Sequence, residues 1–243
     1  MNKLPHILVI FGSTRQGRRG EVVVKWLMDR LALRTDASFE LVDLRDLSIP
    51  FFDAPTSPAK GVIVPGTEAW SAQVQRADGF IFITPEYNYG YPAVLKNAID
   101  VLYHEWVHKP AAIVNYGGFS AGYRAAQQLR LVFIETKMVP IREQVGISLV
   151  PGVTPGIENE PGSPGAVFLE RAYNAMMTEL FWWVAILTPC TPGRSRRCSR
   201  QISCAFHTQV CWRGKQTAKE VSAKTARISK LLWLLRPGST RPN

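Results

Sequence analysis

The first 189 of the 243 residues contain no cysteine; all four, Cys190, Cys198, Cys204 and Cys211, come after them. That excludes a disulfide scaffold over residues 1–189 and is compatible with a reducing compartment. An 18-residue apolar run is also missing, and the first 20 residues carry glycine and arginine in place of an apolar leader core. Neither a transmembrane segment nor a signal peptide is therefore expected. Acids are scarce at the end of the chain: residues 190–243 hold 12 of the 29 Lys and Arg but a single acid, Glu220. The rest carries 17 basic and 18 acidic residues, so the net charge of +10 says nothing about what that part binds. The break in composition predicts two parts: 1–189, a domain, and 190–243, a basic Cys/Arg-rich tail that is disordered or a non-native extension. An apolar fraction of 46% readily supports a core.

Short apolar runs alternate with segments of helical spacing. Strands are expected at 6–11, 39–44, 79–84 and 111–115, with a fifth beginning at 138. Helices are expected at 18–33, 67–77, 92–100, 120–135 and 165–187. Gly79-Phe80-Ile81-Phe82-Ile83-Thr84 is continuously apolar, as in a strand covered on both faces. The fifth strand reads as more exposed and interrupted by Pro140, and 146–164 as mostly loop. This alternation implies a parallel sheet between two layers of helices. Right-handed crossovers would gather the loops at 12–20, 84–92 and 115–120 at the sheet's carboxyl edge, where such folds bind ligands.

The first of these loops is Gly12-Ser13-Thr14-Arg15-Gln16-Gly17-Arg18-Arg19-Gly20. Small residues let backbone N–H groups converge at a helix N-terminus, and hydroxyls and guanidinium groups add donors for a phosphate. It lacks the Lys-Ser/Thr pair of a P-loop, since Arg18-Arg19 follow Gly17. It also lacks the second glycine of a dinucleotide fingerprint, where Thr14 stands. The second loop, Thr84-Pro85-Glu86-Tyr87-Asn88-Tyr89-Gly90-Tyr91-Pro92, offers rings and an amide to a flat heterocycle, or forms a rigid turn with tyrosines packed on it. The third, Asn115-Tyr116-Gly117-Gly118-Phe119-Ser120, permits close backbone approach to a ligand, or is a strand-to-helix turn with Ser120 as N-cap. No acid–base pair stands out. His104 and His108 read as surface residues near the end of the third helix.

Taken together, Gly12-Ser13-Thr14-Arg15-x-Gly17-Arg18, then Pro85-Glu86-Tyr87-Asn88-x-x-x-Pro92-x-x-Leu95-Lys96-Asn97-Ala98-Ile99-Asp100, then Tyr116-Gly117-Gly118, resembles the NAD(P)H-dependent FMN reductase family over about residues 4–188. The resemblance implies a flavodoxin-like three-layer α/β sandwich whose five-stranded parallel sheet has the order 2-1-3-4-5. It implies that Ser13, Arg15 and Arg18 bind the FMN phosphate, with Gln16, Gly17 and Arg19 lining it. Pro85, Glu86, Tyr87 and Asn88 would hold the isoalloxazine and ribityl parts, and Tyr116, Gly117 and Gly118 would frame the other side of the ring. It further implies a cytoplasmic homodimer or tetramer that oxidises NADPH or NADH and passes two electrons to quinones, azo compounds, free flavin or similar acceptors. The flavin would carry the chemistry, so no catalytic side chain is required. A non-catalytic flavoprotein that carries electrons or binds a partner is the alternative.

The tail departs from that pattern. Cys198-x5-Cys204-x2-His207-x3-Cys211 offers four zinc ligands at a spacing that matches no standard site, so no metal is expected. Lys215 to Leu235 has an amphipathic stripe of Val221, Thr225, Ile228, Leu232 and Leu235, a basis for nucleic-acid or membrane contact that the blander tail readings outweigh.

Overall fold

A computed structural model describes residues 4–153, 156–157 and 160–188, all within a compact unit that spans Met1–Arg194. The tail readings, the zinc set and the amphipathic helix, lie outside the described residues.

Five parallel strands form one sheet: β1 (His6–Phe11), β2 (Ser38–Asp43), β3 (Gly79–Pro85), β4 (Pro110–Gly117) and β5 (Val139–Ser148). Their order is β2-β1-β3-β4-β5, as the resemblance implied. Side chains alternate between two cores. Ile7, Val9, Ile81, Ile83, Ala112 and Val114 face α1 (Glu21–Leu31) and α5 (Pro164–Leu187). Leu8, Ile10, Phe80, Phe82, Ala111 and Ile113 face α2 (Glu68–Arg76), α3 (Ala93–Asp100) and α4 (Tyr123–Glu135). Most of these side chains are wholly buried, which stabilises the fold by about 1.5–3 kcal/mol for each large one. On the second face Trp70, Phe80, Phe82, Trp106 and Phe133 form a connected cluster. The indole N–H groups of Trp70 and Trp106 donate to the carbonyls of Ala98 (2.8 Å) and Ile99 (3.1 Å), so no buried donor is wasted at the end of α3.

Several expectations need correction, and α1 begins at Glu21 rather than at residue 18. β5 does not give way to loop at Gly146 but continues to Ser148, and Val145, Ile147 and Ser148 are buried. Gly146 is there to admit the Tyr123 ring, which a Cβ would meet at 2.4 Å, and the irregular register opposite Ala111–Ile113 absorbs Pro140. β4 extends through Tyr116 and Gly117, so the strand ends two residues later than expected. α4 starts at Tyr123 rather than Ser120, and Ser120 is not its cap: Gly122 holds that position with φ 83°.

A Cβ at Gly122 would lie 2.6 Å from the Tyr116 carbonyl oxygen. Left-handed backbone and close approach together make Gly122→Ala destabilising by about 2–3 kcal/mol, read as a lower urea midpoint at unchanged m-value.

Candidate functional site

The three loops meet at the carboxyl edge, each leaving the end of β1, β3 or β4. The first is tied to β3 by the Gly12 N–H, which donates to the Ile83 carbonyl at 2.9 Å. Ser13 is fully buried, and its hydroxyl pairs with that of Tyr87 at 2.7 Å, which joins the first loop to the second. The chain then turns outward: Arg15, Gln16, Gly17 and Arg19 are exposed, with Gly17 at φ 61°. Among the described residues, no hydrogen bond engages the backbone N–H groups of Ser13, Thr14, Arg15 and Gln16. The amides of Glu21 to Val23 begin α1, where a helix has no intrahelical acceptors for them. Free amides beside outward arginines suit an anion.

Arg18 does something else. Its side chain is only 4% exposed and lies across the Phe11 ring, 4.0 Å from guanidinium carbon to centroid. Both Nη atoms grip Asp43 at the end of β2, one Nη1–Oδ1 contact measuring 2.7 Å, and Nη1 also donates to the Ser13 carbonyl. Asp43 accepts in addition from the Arg45 N–H at 2.9 Å, and Arg45 Nη2 donates to the Arg15 carbonyl at 2.8 Å. The end of β2 therefore braces the loop from below. Burial pushes the Asp43 carboxyl up, but the hydrogen bonds and charge of Arg18, with the Arg45 amide, outweigh it and hold the group below its ordinary pKa. Asp43 in turn raises the Arg18 pKa.

In the second loop, Tyr87 and Gly90 close a tight turn with reciprocal backbone hydrogen bonds of 2.8 and 3.0 Å. Asn88 at its tip is exposed. Pro85 pairs in register with Tyr116, and the Glu86 N–H donates to the Tyr116 carbonyl at 3.0 Å. Glu86 forms an ion pair with Arg124, and its Oε2 accepts from the Arg124 N–H at 3.2 Å. Burial raises the Glu86 carboxyl, while hydrogen bonds from Arg124 and Ser120 and the Arg124 charge bring it below its usual value. It is a carboxylate at neutral pH, suited to anchoring rather than to proton donation.

Tyr116 is buried beneath the first loop, and its hydroxyl, which makes no hydrogen bond among the described residues, rests where a Cβ of residue 20 would stand. Burial pushes that phenol well above its ordinary pKa. Its side chain thus supports the loop from within, while the backbone of Gly117 and exposed Gly118 lies at the edge. All thirteen predicted site residues gather here, but the side chains of Arg18 and Tyr116 point inward. Sequence reasoning missed Asp43, Arg45 and Arg124. The available signal for Asp43 was an acid closing a strand of the sheet.

Two concavities are lined by residues outside these loops, the smaller next to the third loop, where the Leu149 N–H donates to the Gly117 carbonyl at 2.8 Å. One of about 820 Å³ is lined by Tyr123, Arg130, Arg142 and Phe168 among others, and one of about 390 Å³ by Leu149, Val153, Ile157 and Ser163 among others. No group of three or more metal-ligating side chains occurs among the described residues.

Comparison with known proteins gives these arrangements a context. The family described as NADPH-dependent FMN reductase matches residues 5–151. An NAD(P)H-dependent FMN reductase of Schizosaccharomyces pombe (strain 972 / ATCC 24843) is 42% identical over 140 residues, 56% of this chain and 70% of its own. A quinone reductase of Escherichia coli (strain K12) is 34% identical over 155 residues, 60% of this chain and 79% of its own. Among solved structures, a flavoenzyme NAD(P)H:(acceptor) oxidoreductase from Paracoccus denitrificans superposes with a TM-score of 0.57. It covers 73% of this chain and 98% of its own, and at 22% identity that likeness is one of fold.

Asp43→Asn should cost about 2 kcal/mol of stability near neutral pH, because it leaves Arg18 buried without its counter-charge. The native Asp43 pKa is depressed, so the pair's contribution is present above the unfolded carboxyl's value and fades as pH falls through the native one. The gap between parent and variant in urea melts is therefore expected to close below about pH 4. A gap independent of pH would contradict the assigned pairing.

Proposed function

The chain belongs to the NADPH-dependent FMN reductase family, and on that premise we propose how its residues serve an FMN-dependent NAD(P)H oxidoreductase. The cofactor is FMN and the reductant NADPH or NADH. Electron acceptors of the quinone class fit this reading, since an Escherichia coli relative is named a quinone reductase, and azo compounds and free flavin are proposed beside them. The same naming weighs against a non-catalytic flavin carrier.

The chemistry FMN supplies when bound is two-electron transfer between a nicotinamide and an acceptor. The protein's own part is position and polarity. The unengaged amides of Ser13 to Gln16, between outward Arg15 and Arg19, are the observation that carries the assignment of the phosphate site. Gln16 and Gly17 line that site, and Gly17 in left-handed backbone turns the chain around it. Arg18 acts through the loop it shapes rather than through a free guanidinium, because its donors are taken by Asp43 and Ser13. Pro85, Glu86, Tyr87 and Asn88 would hold the ribityl and ring portions, with the Ser13 and Tyr87 hydroxyls hydrogen-bonded at the junction. The backbone of Tyr116, Gly117 and Gly118 would meet the ring's polar edge. Donors fixed before the cofactor arrives need no reorganisation as charge develops, which is how such loops favour a reduced ring.

The active protein is read as a homodimer or tetramer in the cytoplasm, with 1–189 as the functional domain. No helix among the described residues is long and apolar enough to cross a membrane.

The full chain, purified without added flavin, should show flavin absorption and should oxidise NADPH or NADH with a quinone. Arg15→Ala is expected to weaken FMN binding by about 10- to 100-fold, the worth of a charge-assisted phosphate contact, with little change in Tm. A folded preparation that neither contains nor takes up FMN would end this reading.

A further inference from the structure

Two consecutive non-glycine residues in left-handed backbone are uncommon. Here they form the tip of the second loop: Asn88 at φ 48° and Tyr89 at φ 78°. A bulky side chain in this conformation is strained, and such strain persists only where the surroundings over-determine it. They do so at this turn. Gln128 Nε2 donates to the Tyr89 carbonyl at 3.1 Å, and the Arg124 guanidinium carbon sits 4.6 Å from the centroid of the Tyr89 ring. Arg124 is itself fixed by the Glu86 carboxylate, only 5% exposed, and by the Ser120 hydroxyl at 3.1 Å. The clasp thus joins the second loop, the third loop and the start of α4.

The ring held in this way packs in neither core. Tyr89 is 60% exposed and belongs to neither hydrophobic cluster. Glycine would form the same turn without strain, since Asn-Gly is the preferred pair for a tight turn with two positive φ values. Folding alone therefore gives no reason for tyrosine at this position. The turn begins at Tyr87, whose hydroxyl pairs with that of Ser13 in the phosphate loop, so the turn that carries the ring adjoins the proposed flavin site. A phosphate-bearing nicotinamide cofactor would seek free cations, but the cation at this turn is already neutralised by Glu86. What the turn offers is an uncharged aromatic face.

The geometry points to Tyr89 as the residue that receives the electron acceptor, an uncharged planar molecule of the quinone class stacked on its ring, with Arg124 as the positioning residue that fixes the ring. This inference rests on the reductase reading and adds to it the side chain that discriminates among acceptors.

The test uses the full-length flavin-loaded protein with two acceptors, 1,4-naphthoquinone and ferricyanide, a small anion with no ring to stack. Tyr89→Gly should raise Tm by about 2–4 °C through relief of backbone strain. It should also raise the KM for naphthoquinone about tenfold while that for ferricyanide moves by less than about twofold. Tyr89→Phe, which keeps the ring, should hold the naphthoquinone KM within about twofold of the parent. Arg124→Ala should give a smaller rise than Tyr89→Gly, again selective for naphthoquinone, because a free ring must be ordered by the acceptor. A Tyr89→Gly protein less stable than the parent, an unmoved naphthoquinone KM, or equal rises for both acceptors overturns the inference. A parent protein without flavin or NAD(P)H oxidation sinks the reductase reading instead, so the two failures are distinguishable.

Discussion

The arrangement at the carboxyl edge depends on one buried ion pair. Arg18 leaves the first loop, lies across Phe11 and is gripped at both Nη atoms by Asp43. A guanidinium this deep is tolerable only with its charge matched and its donors satisfied, and the planar fork of arginine meets a carboxylate in the needed geometry. Because Arg18 also holds the Ser13 carbonyl, that carbonyl faces inward and the amides of Ser13 to Gln16 are left unengaged. One inward arginine thus prepares a surface that outward arginines complete. Preorganisation of this kind removes the ordering cost that a mobile loop would impose on binding.

Cross-links between loops extend this order across the edge. Ser13 meets Tyr87, Glu86 meets the Tyr116 backbone, and Arg124 ties Glu86 to Ser120. Each link bridges segments that leave different strands, so the parallel sheet sets their spacing and the side chains fix their mutual angle. The strained turn at Asn88 and Tyr89 fits this pattern, since only a rigid surround maintains two left-handed residues in succession. The site is built by three loops that leave three neighbouring strands of one sheet.

Much of this was legible beforehand, for identifiable reasons. Ile7 to Phe11 and Phe80 to Ile83 are apolar without interruption, which only a strand covered on both faces explains at that length. The spacing of Gly12 to Arg19, of Pro85 to Asn88 and of Tyr116 to Gly118 marked the three loops. The length of β5 was hidden because Gly146 and Pro140 are ordinarily strand breakers; one admits the Tyr123 ring and the other falls at a register irregularity of an edge strand. Ser120 resembled a cap because its type suits one, yet it serves Arg124. No local pattern marked Arg124, an exposed arginine on a helix among many.

The sequence by itself determined the order of elements, the parallel sheet and the three loops, because periodicity and glycine placement act over a few residues. Tertiary structure alone decided which arginine faces outward and which faces the core. Arg18 and Arg19 are adjacent and chemically identical; what separates them is Asp43, 25 residues further along and brought beneath the loop only when β2 pairs with β1. Direction of a side chain at such a site is a property of its distant partner, and pairing of strands supplies that partner.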